Sequence, residues 1–205
     1  MSFNPSELVG PVGNHYDKYG SRNPVTRELM RRFRTQVDGI VTELAPASLL
    51  DAGCGEGVLT ESFAQLLPAA RIVGIDVPSP ELSAEWSLRR GPAFLPGSIY
   101  GLPFTDGEFE LVSALEVMEH LERPGDALME LARVSSRHLL LSVPREPLWR
   151  ILNVSSGRYL GALGNTPGHV QHWSRSSFRE FASRVGTVRR CGGPSPWTVA
   201  LVELD

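Results

Sequence analysis

The stretch Leu49-Leu50-Asp51-Ala52-Gly53-Cys54-Gly55-Glu56-Gly57-Val58 decides the fold. Its apolar start, with Ser48, makes Ser48–Ala52 a short buried strand that ends in a glycine turn. The residues that follow, Val58–Leu67, carry a helical pattern that stops before Pro68. Three glycines between a strand and a helix allow a tight turn. They also let a ligand approach the backbone N–H groups at a helix N-terminus.

The same alternation extends outward in both directions. Upstream, Leu29, Met30, Phe33, Val37, Ile40, Val41 and Leu44 recur at helical spacing within Val25–Leu44. Arg27, Arg31, Arg34 and Asp38 fall mostly on the opposite side, and Ala45-Pro46 ends the helix. Downstream come a strand at Arg71–Asp76, a helix at Pro80–Arg89, short strand Ala93–Leu95 and strand Phe109–Leu115. A helix at Gly125–Val134 and a strand at His138–Val143 follow. Strands alternating with helices imply βαβ units and a parallel sheet. Val188–Cys191 and Trp197–Glu203 flank Gly192-Gly193-Pro194-Ser195-Pro196 and read as an antiparallel hairpin. Residues 1–24 form an irregular arm, and 144–174 form a lid-like insertion within one domain spanning 1–205. Pro147–Leu163, with Trp149 among aliphatic neighbours, reads either as a small amphipathic helix over the site or as a packed surface excursion.

The chain has 205 residues, enough for one α/β domain with a substantial core. A net charge of −3 argues against nucleic acid as the main partner, because such domains usually carry a basic surplus. Cys54 and Cys191 lie far apart and in no metal-like spacing, so a reducing cytoplasm is the expected compartment. Met1–Pro5 carries no basic stretch followed by an apolar one, so no signal peptide is expected. No transmembrane segment is expected either, since no apolar run has the required length.

The glycine loop has two qualifying details. A dinucleotide fingerprint starting at Gly53 and Gly55 would need its third glycine where Val58 stands. Asp51, two residues before Gly53, would repel a pyrophosphate and favour a cationic ligand, such as a sulfonium cofactor with an amino-acid tail. Asp76 ends the next strand about twenty residues beyond the glycines, where Rossmann-like folds put the acid that accepts both ribose hydroxyls. Either Asp alone could be a cap or turn residue.

Together these residues resemble the class I S-adenosylmethionine-dependent methyltransferases, in the branch that contains the ubiquinone and menaquinone methylases. The resemblance is strongest over residues 47–143 and includes Gly97–Phe104 and Phe109–Val112. It implies an α/β, Rossmann-like, doubly wound sheet of seven strands, mostly parallel with an antiparallel last strand. It also implies S-adenosyl-L-methionine bound by Asp51, Gly53, Gly55, Gly57, Asp76, Val77, Ser98, Ile99 and Leu115. The family often has an Asp at Ser98 to bind the adenine amino group, so here Ser98 or the neighbouring backbone must serve. Glu110 stands where the family usually has Asp. In the arm, a Tyr within His15–Gly20 either closes over the cofactor or packs on the surface, and an Arg in Arg22–Arg27 could reach the cofactor's carboxylate.

A second constellation follows the fourth strand: Glu116-Val117-Met118-Glu119-His120. If a helix starts here, Glu116, Glu119 and His120 share one face. Two carboxylates and an imidazole suit a divalent cation, with His169 as the further ligand and His172 as its rival. The layout resembles the terminal 2′-O-methyltransferases of small RNAs and the ubiquinone-pathway O-methyltransferases. In the RNA group such residues hold a cation beside the acceptor hydroxyls. The resemblance implies a metal site of Glu116, Glu119, His120 and His169 for Mg, Mn or Zn. His120 or His172 is the fallback catalytic base. Metal-free relatives also carry Glu-His after this strand, with the His facing the acceptor, and a turn at His169 that merely packs the lid stays open.

The expected function is O-methylation of a small-molecule hydroxyl. N- or C-methylation, 2′-O-methylation of an RNA end, and a silent cofactor-binding subunit of a complex remain alternatives. A nicotinamide-dependent oxidoreductase is disfavoured by Asp51 and Val58. No residue pattern specifies an oligomeric state.

Overall fold

The computed structural model describes residues 23–146 and 168–205. The first helix, α1, is Pro24–Leu44. Asn23 caps it by accepting the Val25 N–H, Pro24 opens it, and Ala45 closes it in a left-handed conformation. Then follow β1 (Ser48–Ala52), α2 (Val58–Leu66), β2 (Arg71–Asp76), α3 (Pro80–Ser87) and β3 (Ala93–Pro96). β4 (Phe109–Leu115) leads through a single 3-10 turn, Met118–His120, to α4 (Pro124–Val134) and β5 (Ser135–Pro144). The described chain resumes before α5 (Arg175–Ala182) and ends with β6 (Gly186–Gly192) and β7 (Trp197–Leu204).

The sheet has seven strands in the order β3-β2-β1-β4-β5-β7-β6. β7 runs antiparallel to both neighbours, and the other described pairs are parallel. This is the Rossmann-like, doubly wound arrangement that the alternating pattern implied. Strand order reverses at β1–β4, and ligand crevices form outside the C-terminal strand ends at such a switch point.

Period-two alternation divides the strand side chains between two apolar layers. Leu50, Val112, Leu139 and Leu141 pack on one face with Leu128 and Leu131 of α4 and Phe178 and Phe181 of α5. Leu49, Leu111 and Leu140 face the other way, onto Phe33, Val37 and Val41 of α1 and Phe63 of α2. With both faces covered, the central strands are apolar throughout, as parallel strands require.

Two local differences from the sequence reading stand out. α5 was not anticipated. Ser174 caps it, with Ser177 completing a reciprocal capping box, and Phe178, Phe181 and Ala182 form its buried face. No continuous helix begins at Glu116, which has a positive φ of 61°. Its N–H donates to the Ser142 carbonyl, 3.1 Å away, so the chain stays with the sheet one residue beyond β4 before turning. Residues 1–22, with His15–Gly20 and Arg22, lie outside the described residues. So do 147–167, with the Pro147–Leu163 segment and Trp149.

Candidate functional site

At the glycine loop, Gly53, Gly55 and Gly57 have φ of 78°, 53° and 75°, the left-handed region where a Cβ is unfavourable. Their surroundings differ. A Cβ on Gly53 would lie 2.5 Å from Val117 Cγ2, and one on Gly57 would lie 2.6 Å from Phe94 Cζ. A Cβ on Gly55 would meet nothing within 4 Å. Gly53 and Gly57 therefore lack side chains for packing as well as for backbone shape, whereas Gly55 faces open space.

Both acids are tied to this loop. The Asp76 carboxylate accepts N–H groups from Gly55 and Val77, each at 2.7 Å. Burial pushes its pKa up, and the two backbone hydrogen bonds oppose the shift. Asp51 pairs in register with Gly74 on one side and Ser113 on the other. Its oxygens accept hydroxyls from Thr60 and Ser113, each at 2.7 Å. Asp51 is 3% exposed, and burial pushes its pKa up to about 6. Direct attraction of a cationic ligand was the reason to single out Asp51. Its side chain is instead enclosed, and it braces the end of β1 against α2 and β4.

The other expected cofactor residues line the same sheet edge. Ser98 Oγ accepts the Tyr100 N–H, and Ser98 bridges to Gly101. Ile99 packs against the α4-side core. The Leu115 side chain is buried in the α1-side core, leaving its backbone at the strand end.

Glu119, His120 and His169 come together, with ligand atoms all within 4.8 Å of one another. The two imidazoles meet edge to face with centroids 4.9 Å apart. Glu119 and His169 are buried and His120 is exposed. The segment that carries His169 is laced to the 3-10 turn. The Val170 and Gln171 N–H groups donate to the Glu119 carbonyl, and Gln171 Nε2 donates to the Leu121 carbonyl. His120 Nδ1 lies 3.0 Å from the Gly168 carbonyl, an acceptor only, so Nδ1 is a donor there.

Glu116 stands apart from this group, a correction to the four-residue set read from the sequence. Its carboxylate accepts Trp197 Nε1–H at 2.7 Å and Ser142 Oγ–H at 3.2 Å. The expected i, i+3, i+4 face needed a helix that β4 does not become. His172 is exposed and is not among the three clustered residues.

A family model described as a methyltransferase domain matches residues 50–138, from β1 to the early part of β5. An uncharacterized methyltransferase of Schizosaccharomyces pombe is 39% identical over 99 residues, covering 42% of this chain and 35% of the relative. The ubiquinone biosynthesis O-methyltransferase of Xanthomonas euvesicatoria is 29% identical over 203 residues, 93% of this chain and 81% of the relative. A solved structure of the magnesium protoporphyrin IX methyltransferase of Synechocystis, with bound SAH, shares the fold. It has a TM-score of 0.68 and 21% identity over 91% of this chain and 90% of that one. Residues 50–138 are thus similar to a methyltransferase domain, and the chain as a whole shares the fold of these methyltransferases. It spans less than half the length of each of the first curated relatives it matches.

Sequence reasoning missed several residues that shape the surroundings of Asp51 and Glu116. Thr60 and Ser113, which hold Asp51, are both fully buried, a burial their polar side chains alone do not announce. Trp197, which holds Glu116, left no signal, because the two are 81 positions apart. Among the described residues, no helix is long and apolar enough to cross a membrane.

Proposed function

We propose that this chain transfers the methyl group of S-adenosyl-L-methionine to a hydroxyl of a small molecule. Glu119, His120 and His169 would hold a divalent cation, Mn, Zn or Mg. The convergence of those three ligand atoms within 4.8 Å carries the reading. The likeness to ubiquinone biosynthesis O-methyltransferases supports the oxygen acceptor. Two free cysteines at ordinary positions fit a cytoplasmic enzyme.

In the reaction, the acceptor oxygen attacks the sulfonium methyl carbon. A C–O bond forms, the C–S bond breaks, S-adenosylhomocysteine leaves with the sulfur lone pair, and the hydroxyl proton passes to water. The sulfonium already activates the carbon, so the protein's main task is to align two partners and exclude water. Gly55 offers the open side of the loop, and Asp76 is placed to accept ribose hydroxyls in addition to its backbone donors. When bound, the cation supplies a lowered pKa for the acceptor hydroxyl and fixes its direction. The donor set fits such an ion. Two imidazoles and a carboxylate suit borderline to hard divalent cations, and the Nδ1 donor to Gly168 makes Nε2 the ring nitrogen of His120 that would ligate. The same tautomer favours one second reading, in which His120 Nε2 takes the acceptor proton directly without a metal.

The test is turnover of S-adenosyl-L-methionine with a panel of catechols, sugars and RNA 3′ ends, in chelator and then with Mn, Zn or Mg restored. A small-molecule hydroxyl product, lost in chelator and recovered with metal, is expected. Full rate in chelator and in His169→Ala would overturn the metal and leave His120 as the base.

A further inference from the structure

We propose that Trp86 is a positioning residue for the adenosyl cofactor: by holding the Gly55 carbonyl it fixes the glycine loop and so sets cofactor affinity. This rests on the methyltransferase reading above.

The Gly55 residue is held at both ends. Its N–H donates to Asp76 at 2.7 Å, and its carbonyl accepts Trp86 Nε1–H at 2.8 Å. The next carbonyl, that of Glu56, accepts Arg89 Nε–H at 2.9 Å. Two consecutive carbonyls of the loop are thus drawn towards α3 and Arg89, two residues beyond its end. In a planar trans peptide the N–H points opposite to the C=O, so holding the Gly55 carbonyl turns the Glu56 N–H away from α3. Loop N–H groups presented in this way are what a cofactor at a helix N-terminus uses.

Trp86 is itself immobilised. It is 8% exposed and stacks on Phe94 with centroids 5.4 Å apart and planes within 7°. Phe94 in turn occupies the space that Gly57 and Gly74 leave by lacking a Cβ. Arg89 is similarly fixed, by Glu61 and Glu85. The clamp therefore runs from β3 through an aromatic stack to the loop, and it holds the Gly55 carbonyl while Asp76 holds the N–H of the same residue. Without the indole N–H, a glycine peptide with left-handed φ regains rotational freedom, and a ligand must spend binding energy to order it again.

Trp86→Phe keeps a ring against Phe94 and removes only the donor. Titration calorimetry with S-adenosylhomocysteine should show about three- to tenfold weaker binding, the worth of one neutral hydrogen bond. With an accepted substrate, KM for S-adenosyl-L-methionine should rise by the same factor while kcat at saturation holds. Leu131→Val, in the α4 core away from the loop, serves as a stability control. It should lower the melting temperature and leave the dissociation constant unchanged. If Trp86→Phe shows no cooperative unfolding transition, Arg89→Met carries the test on the adjoining carbonyl, with weaker binding again expected. Wild-type binding with the folded variant within about twofold of it would overturn the role of Trp86. A wild-type chain that binds no S-adenosylhomocysteine would instead overturn the methyltransferase reading.

Discussion

Replacing Asp51 by Asn should remove a pH-dependent cost of folding. In the folded protein the carboxyl sits between β2 and β4, 3% exposed, with both oxygens accepting hydroxyl groups. Burial raises its pKa from 3.8 to about 6. The Thr60 and Ser113 hydrogen bonds offset part of that rise, and the neighbouring Asp76 adds to it. A shift of roughly two units corresponds to about 3 kcal/mol. Because the folded pKa lies above the unfolded one, the folded state binds the proton more tightly. The cost is absent below pH ~4, grows as pH rises towards ~6, and is fully present at neutrality. An Asn side chain cannot ionise; one of the Thr60 and Ser113 hydroxyls can turn to accept from its amide N–H while the other still donates to its oxygen. Urea unfolding of both chains from pH 4 to 7.5 gives the difference directly. Asp76, also raised by burial, is common to both chains and largely cancels. The wild type should lose about 3 kcal/mol more than the variant across this range. Parallel stability curves would refute the buried, ionisable role assigned to Asp51.

Gly57→Ala should cost about 2–4 kcal/mol in thermal unfolding, combining a left-handed φ with a Cβ pressed onto Phe94; a cost below about 1 would contradict the packing described. His169→Ala should weaken Mn or Zn binding at least about tenfold by calorimetry, and unchanged affinity would remove His169 from the site. Arg133→Met should destabilise by about 2 kcal/mol, because its guanidinium holds Glu130, Asp106 and the Leu102 and Phe104 carbonyls together; a melting temperature equal to wild type would show the network to be dispensable.

The alternation of β1 to β5 with their helices was legible because each segment repeats an apolar period over its own few residues. Ser48–Ala52, Arg71–Asp76 and Phe109–Leu115 run as the pattern indicated, and the terminal hairpin followed from the glycine-proline cluster between its arms. The helix Arg175–Ala182 was readable in principle. Its Ser174 cap and the Phe178–Phe181–Ala182 spacing were present, but the helix is only eight residues long and its polar face is serine- and arginine-rich. Glu116 illustrates the limit of spacing arguments. Its fate depends on hydrogen bonds to Ser142 and Trp197, 26 and 81 positions away, which no local period reports. Trp86 and Arg89 were illegible for the same reason, since their partners are loop carbonyls more than thirty residues earlier. The Glu119–His120–His169 group lay between these cases. Its residue types and the family resemblance already named His169 with Glu119 and His120, and the fold brings these three together without Glu116.

The central claim is that the loop from Asp51 to Gly57, with Asp76, is built for an adenosyl cofactor. Titrating the chain with S-adenosylhomocysteine and, separately, with NAD tests it most directly. Saturable binding of S-adenosylhomocysteine, abolished by Asp76→Ala and not displaced by NAD, is the predicted result. Binding of NAD with none of S-adenosylhomocysteine would contradict it.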